Sequence, residues 1–72
     1  MEKSLIIFGS GDIAELAYYY FSTDSDYKVA AFTLDSEYIK AATFCGLPLT
    51  PFETLEQNFP PDQYDLFVAL SY

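Results

Sequence analysis

The chain has 72 residues, 51% of them hydrophobic, and its eleven acidic and three basic residues give a formal net charge of −8. This length suits one small domain, and the negative charge argues against nucleic acid or an anionic membrane surface as a partner. The sequence contains no histidine, which removes the commonest general base and most zinc sites.

The first predicted elements are a strand, a glycine turn and a helix, within the stretch LIIFGSGDIAEL. Residues 4–8 are an apolar run typical of a strand buried in a parallel sheet. Gly9, Ser10 and Gly11 predict a tight turn. The helix is expected to begin at Asp12, with Glu15 at capping-box spacing. Its apolar positions recur at helical spacing and are Ile13, Leu16, Ala17, Tyr20 and Phe21.

The middle of the chain contains a second strand and a stretch of ambiguous pattern. KVAAFTL, residues 28–34, predicts the strand, with Asp35 at its C-terminal end. Residues 36–46 are ambiguous, and SEYIKAA within them could form one helical turn. LPLT, residues 47–50, predicts a short edge strand.

A second helix and a last strand complete the pattern. Thr50 is the expected N-cap of this helix, with Pro51 at its first position and Glu53 completing a capping box. Its expected inner face consists of Phe52, Leu55 and Phe59, and it ends at Pro60 and Pro61. YDLFVALSY predicts a third apolar strand.

The order of these elements predicts an α/β fold, with residues 1–72 as a single Rossmann-like domain. We expect a small open parallel sheet of three to four strands, with helices on both faces. The first strand should lie in the centre, the second on one side and the last on the other, with LPLT outside the second. Because the chain ends directly after a core strand, we expect it to be the N-terminal part of a longer protein.

The single cysteine and the length of the apolar runs indicate where in the cell the protein is expected. Cys45 cannot form an internal disulfide and is expected to be a small buried hydrophobic residue. Together with the absence of a signal-peptide pattern, this predicts a cytoplasmic protein. No apolar run approaches the ~20 residues that span a bilayer, so no membrane is expected as a partner.

The candidate ligand site is predicted where strands of a doubly wound sheet end, at the switch point beside the first strand. The loops expected there contain Gly9, Ser10, Gly11 and Asp12, then Asp35 and Ser36, then Ser71. Asp35 follows the turn by roughly two dozen residues, where an acid can bind ribose hydroxyls. Asp12 opposes a pyrophosphate by its charge. Because the chain has three lysines and no arginine, an anionic ligand would be held by backbone N–H groups.

These stretches, taken together, resemble a known family. LIIFGSGDIAE, VAAFTLDS, GLPLTPFETL and YDLFVALSY follow one another as in the N-terminal domain of bacterial sugar acyltransferases of the left-handed β-helix, hexapeptide-repeat class. That class includes the sialic acid O-acetyltransferases and the N-acetyltransferases of UDP-linked amino sugars. Asp12 stands where the family usually has histidine, Ser36 replaces its second acid, and Ser71 replaces a frequent glycine.

The resemblance implies a nucleotide-sugar-binding domain, with a UDP-sugar as the usual ligand. It implies substrate-binding roles for Gly9, Ser10, Gly11, Asp12, Asp35, Ser36 and Ser71, and no catalytic or metal-binding residue in this chain. Acetyl transfer from acetyl-CoA, the family's co-substrate, would belong to a β-helix domain beyond Tyr72. That domain would also form a homotrimer.

Two other functions fit the sequence. The turn and Asp35 also suit a dinucleotide-binding Rossmann fragment of an oxidoreductase, although GSGDIAE lacks the third glycine of that motif. A non-catalytic interaction or assembly domain is the other alternative. Tyr18 and Tyr19, expected on the outer side of the first helix, would then form a contact surface.

Overall fold

The computed structural model describes residues 3–69, in which strands and helices follow one another as in an α/β fold. The elements are β1 (Lys3–Phe8), α1 (Asp12–Asp24), β2 (Tyr27–Leu34), β3 (Thr43–Phe44), β4 (Leu47–Pro51), α2 (Leu55–Asn58) and β5 (Tyr64–Val68). Short 3-10 turns cover Ser36–Tyr38 and Phe52–Thr54. The predicted strand, helix and strand at the start of the chain are confirmed.

The sheet of residues 3–69 has five strands in the order β3-β4-β2-β1-β5. β1 pairs in parallel with β2 on one side and β5 on the other, and β2 pairs in parallel with β4. The predicted neighbours of the first strand are therefore confirmed, as is the place of LPLT outside the second. The prediction of an open parallel sheet of three to four strands is confirmed in part: β4, β2, β1 and β5 are parallel, but β3 is a fifth strand and pairs antiparallel with β4. The sheet is mixed.

A two-residue hairpin turn produces the antiparallel pair. Phe44 pairs with Leu47 across Cys45 and Gly46, whose φ angles are 53° and 79°. Two consecutive positive φ angles are typical of the I′ turn, for which Asn-Gly and Asp-Gly are the common sequence signals. Cys45 lies exposed in this turn, so the prediction that it is buried is wrong.

Helix α1 packs on the sheet with a face that is rotated from the predicted one. Its contacts with the core are made by Ala14, which is fully buried, and by Ala17, Tyr18 and Phe21. The ring of Tyr18 lies 5.8 Å from that of Phe32, so its predicted outward position is wrong, whereas Tyr19 is exposed as expected. The predicted apolar positions Ile13, Leu16 and Tyr20 also remain exposed. The small Ala14 side chain allows close approach to the sheet, which turns these three residues away from it.

Of the helix predicted at residues 51–59, only Leu55–Asn58 is α-helical in the structure. β4 continues through Thr50 to Pro51, because these residues pair with Thr33 and Leu34 of β2. Thr50 is therefore a strand residue and not an N-cap, and helical structure is limited to a 3-10 turn followed by the four residues of α2. Pairing with a central strand has overridden a local capping signal.

Helical segments lie on both faces of the sheet. Leu5 and Ile7 face α1, within the core cluster that contains Ala14. Side chains alternate along a strand, so Phe8 points to the opposite face. There the ring of Phe52 meets it edge-on at 5.1 Å. Within residues 3–69, no helix has the length and apolar character needed to cross a membrane.

Candidate functional site

The turn Gly9–Gly11 connects the inner strand β1 to α1, with β2 and β5 on either side of β1. Backbone hydrogen bonds join the residues around the turn to β2 on one side and to the end of β5 on the other. The N–H of Gly9 donates to the carbonyl of Thr33 at 2.9 Å, and the N–H of Ala69 donates to the carbonyl of Phe8 at 2.8 Å. The chain leaves β1 for β2 on one side and returns as β5 on the other, so the turn lies at a switch point of the sheet.

Each glycine of the turn has a conformation that other residues avoid. Gly9 has a φ of 138°, and a Cβ placed on it would lie 2.5 Å from the carbonyl oxygen of Ala69. Gly11 has a φ of 85° and a ψ of −163°, in a region that glycine occupies almost alone. A Cβ on Gly11 would meet no atom of the described structure within 4 Å. Gly9 is therefore required by close packing, and Gly11 by backbone conformation.

The first turn of α1 has uncapped N–H groups. Gly11 is the N-cap, and within residues 3–69 no side chain caps this end of the helix. The first intrahelical bond runs from the N–H of Glu15 to the carbonyl of Gly11 at 3.0 Å. Asp12 is the first helical residue, so the prediction that it caps the helix is wrong. The N–H groups of this first turn can therefore bind a ligand through the partial positive charge of the helix N-terminus.

A cavity of about 620 Å³ lies beside the turn. Its volume falls within the ~300–1,000 Å³ typical of small-molecule sites. Its walls come from the turn, the start of α1 and the ends of β2 and β5: Gly9, Ser10, Gly11, Asp12, Ile13, Leu34, Tyr38 and Ala69. Asp12 is the charged member of this set, and the groups that can donate to an anion are backbone N–H groups and the hydroxyls of Ser10 and Tyr38.

Tyr38 was not predicted as a site residue, and the structure places it in the cavity wall. It ends the 3-10 turn that follows β2, and 61% of its surface is exposed. The turn is closed by a hydrogen bond from the N–H of Tyr38 to the carbonyl of Asp35 at 2.9 Å. The helical turn predicted within SEYIKAA indicates that the chain bends here, but not that Tyr38 shares a cavity wall with Gly11.

Two of the predicted site residues lie next to the cavity without lining it. Asp35 follows β2 directly, is half-buried and precedes the 3-10 turn as its N-cap. Ser36 donates its hydroxyl hydrogen to Glu53 Oε2 at 2.8 Å and its backbone N–H to Glu53 Oε1 at 3.0 Å. The described cavity walls include neither residue. Ser71 lies outside the described residues.

The carboxylate of Glu53 occupies the hydrogen-bond donors of Ser36 that a ligand could otherwise use. Hydrogen bonds from the Ser36 side chain and from backbone N–H groups stabilise its carboxylate and hold the pKa of Glu53 below its ordinary value, with a smaller opposing effect of desolvation. Glu53 was predicted to cap its own helix and instead joins the segment after β4 to the segment after β2. A ligand could reach the donors of Ser36 only by displacing this carboxylate.

A second cavity of about 680 Å³ lies at the opposite end of the sheet, where β2 begins. Its walls include Ser22, Ser25, Asp26 and Lys28. We favour the cavity at the turn, because ligands of open α/β sheets bind at the carboxyl ends of the strands. Across residues 3–69, no group of three or more cysteine or acidic side chains is arranged to hold a metal ion.

No protein-family model, curated protein or solved structure matches this chain.

Proposed function

We propose that this chain binds a nucleotide sugar, with a UDP-sugar as the expected ligand, in the cavity beside Gly9–Gly11. In this proposal it is the substrate-binding domain of an acetyl-CoA-dependent sugar O- or N-acyltransferase, with a Rossmann-like arrangement of its parallel strands. The observation that carries the proposal is the uncapped start of α1 at the switch point, beside a cavity of about 620 Å³.

The diphosphate is assigned to the backbone. Uncapped N–H groups at a helix N-terminus favour anions, and the chain has no arginine that could form a bidentate clamp on a phosphate. The charge of Asp12 is unfavourable for phosphate at the same helix end, but its carboxylate can accept hydrogen bonds from sugar hydroxyls. We therefore assign the diphosphate to the N–H groups and the sugar to the Asp12 side of the cavity.

The base is assigned to the apolar side of the cavity. Leu34 and Tyr38 form this wall together with Ile13. A flat base can stack on a tyrosine ring, and such stacking contributes ~1–3 kcal/mol per base in nucleic-acid complexes. Asp35, directly after β2, is then the acid assigned to the ribose hydroxyls, as in other α/β nucleotide sites.

We assign the acetyl-transfer reaction to a second domain of the parent protein. Without a histidine, this chain supplies no imidazole base for acetyl transfer. Its proposed contribution is to bind and position the sugar nucleotide, while acetyl-CoA and the base belong to a trimeric β-helix domain in the cytoplasm.

Calorimetric titration of the chain with UDP-N-acetylglucosamine, UDP and NADH tests the proposal. We expect saturable binding of the two uridine nucleotides and weaker binding of NADH. Tighter binding of NADH would instead support the dinucleotide-binding alternative. Absence of binding for all three would contradict both and favour a non-catalytic interaction domain.

A pair of charge variants locates the site. Ser10→Glu adds a negative charge to the cavity wall and should weaken uridine-nucleotide binding. Ser22→Glu adds the same charge on the exposed side of α1, in the wall of the other cavity. It should leave that binding unchanged. Equal effects of the two substitutions would mean that the ligand does not bind at the turn.

A further inference from the structure

The outer edge of β5 presents backbone groups that the described structure does not use. β5 is the end strand of the sheet, and no strand of residues 3–69 pairs with its outer side. Ala69 donates its N–H to Phe8 and so faces β1. Backbone groups of successive strand residues point to alternate sides. The N–H and C=O groups of Tyr64, Leu66 and Val68 therefore point outward.

The two edges of the sheet differ in their protection against strand addition. At the other edge, β3 has two residues and folds back on β4, which contains Pro48 and Pro51. Short edge strands and proline discourage pairing with another chain, as do charged side chains. β5 contains no proline and one charged residue, Asp65, whose carboxylate accepts a hydrogen bond from the Tyr27 hydroxyl at 2.9 Å. That carboxylate is exposed but bound to Tyr27, and the rest of β5 has neither a charge nor a proline to discourage pairing.

Apolar side chains surround this edge on both faces of the sheet. Three come from β5 and three from the side of α1 that the sheet does not cover. We call them the β5 surface, and their exposed fractions are Ile13 41%, Leu16 66%, Tyr20 54%, Leu66 44%, Phe67 40% and Val68 54%. A groove between α1 and β5 runs past Ile13, Leu16, Tyr20 and Phe67. The surface is thus continuous from the helix to the strand.

The apolar character and the area of the β5 surface favour a second copy of the chain as the occupant. None of the six side chains is charged, so a cationic partner attracted by the net charge of −8 would find no carboxylate among them. Aromatic side chains such as Tyr20 and Phe67 bury ~150–250 Å² each and the four aliphatic ones less, so six side chains about half exposed amount to on the order of 500 Å² per copy. Two copies together reach ~1,000 Å², the lower end for a specific interface and suited to a weak dimer.

We infer that β5 pairs antiparallel with β5 of a second copy across a two-fold axis, so that the two sheets become continuous. With the axis at Leu66, each Leu66 pairs with its counterpart and Tyr64 pairs with Val68 of the other copy. All the outward backbone groups of β5 are then hydrogen-bonded in the alternating manner of antiparallel strands. An isologous contact of this kind closes at two copies and does not grow into a fibre.

Sedimentation equilibrium of the full chain over a range of concentrations tests this inference. We expect a monomer–dimer equilibrium in which added NaCl increases the dimer, because salt screens the repulsion between two copies of charge −8. Val68→Lys places a charge on the edge and should raise the dissociation constant about tenfold or more. A chain that stays monomeric at every concentration and salt level would overturn the inference.

Ser22→Lys is the matched control, because it makes the same change in net charge at an exposed residue of α1 that lies about half a helical turn from Ile13, in the wall of the other cavity. It should leave the dimer as stable as before or more stable, since the repulsion is reduced. Equal weakening by both variants would contradict the inference. Amide hydrogen exchange of the unmodified chain gives a readout without any substitution. The N–H groups of Leu66 and Val68 should become protected as concentration rises, and exchange independent of concentration would count against pairing.

Discussion

The carboxylate of Glu53 accepts hydrogen bonds from both the backbone N–H and the hydroxyl of Ser36, at 3.0 and 2.8 Å. The two residues are 17 positions apart and lie in the segments that follow β4 and β2. The contact therefore joins two chain segments beside the candidate cavity. Since Ser36 is bound through its backbone N–H as well as its side chain, its replacement by alanine would leave part of the contact in place.

Protonation of Glu53 should destabilise the fold at acid pH. Its pKa in the folded chain is lowered from its ordinary value of 4.5 by the bonds from Ser36. The stabilisation is therefore complete above 4.5 and is lost as the pH falls through the folded-state pKa. In Glu53→Gln, the urea midpoint should fall less steeply with acidification. Glu56→Gln removes the same charge from α2 and serves as the control, and identical slopes for the two variants would contradict this role.

Alanine substitutions should separate the roles of Gly9 and Gly11. Gly11→Ala meets open space and carries backbone strain alone, ~1–3 kcal/mol. Gly9→Ala adds a clash with the Ala69 carbonyl, and overpacking of this kind costs a further ~1–3 kcal/mol. The free energy of unfolding from urea titrations should therefore fall more for Gly9→Ala. A smaller loss for Gly9→Ala would mean that β5 does not lie against the turn.

Asp12→Asn should strengthen binding of UDP and weaken α1 slightly. At roughly 6 Å and an effective dielectric of ~80 to ~20, removing the like charge is worth on the order of 0.7–3 kcal/mol before screening. Losing an acid from the first helical turn costs ~0.3–1 kcal/mol of stability. Glu15→Gln removes a charge from the same helix outside the cavity wall and should affect binding less. Calorimetry that finds weaker UDP binding by Asp12→Asn would show that the carboxylate contacts the ligand directly.

Tyr38→Ala should weaken binding of a uridine nucleotide by ~1–3 kcal/mol, through loss of the stacking surface. Tyr38 is exposed, so the fold should tolerate the change. Tyr19→Ala is the matched control, because Tyr19 is similarly exposed, at 68% against 61%, and lies outside the cavity. Unchanged affinity in calorimetric titrations of Tyr38→Ala would remove the ring from the proposed site.

The elements that could be predicted are those with a strong local signal. The apolar run before Gly9, the start of α1 at Asp12 and the strand ending at Leu34 are recognisable from neighbouring residues alone. The β3-β4 hairpin was missed because Cys45 occupies a turn position where asparagine or aspartate is the usual signal. The prediction of a helix after Thr50 was wrong for another reason, because Thr50 pairs with Thr33 and is part of a strand.

The residues of the candidate site likewise fall into two groups, those grouped by a local sequence pattern and those brought together only by the fold. Gly9, Ser10, Gly11 and Asp12 are contiguous in sequence, so their grouping around one cavity follows from a single local turn. Tyr38 depends on how the chain bends after β2, and the bond between Ser36 and Glu53 depends on two segments meeting in space. No short-range pattern contains that information.

The backbone bonds around the turn also have a consequence for the order of folding. Thr33, which accepts the hydrogen bond of Gly9, is 24 residues from it in sequence, whereas Ala69, which packs on Gly9, is 60 residues away. Contacts between residues so distant in sequence carry a large loop-closure cost and form late. The α1–β2 part can assemble from nearby residues, whereas the cavity wall at Ala69 must await β5. A chain emerging from the ribosome should therefore acquire its ligand site only after β5 has been synthesised.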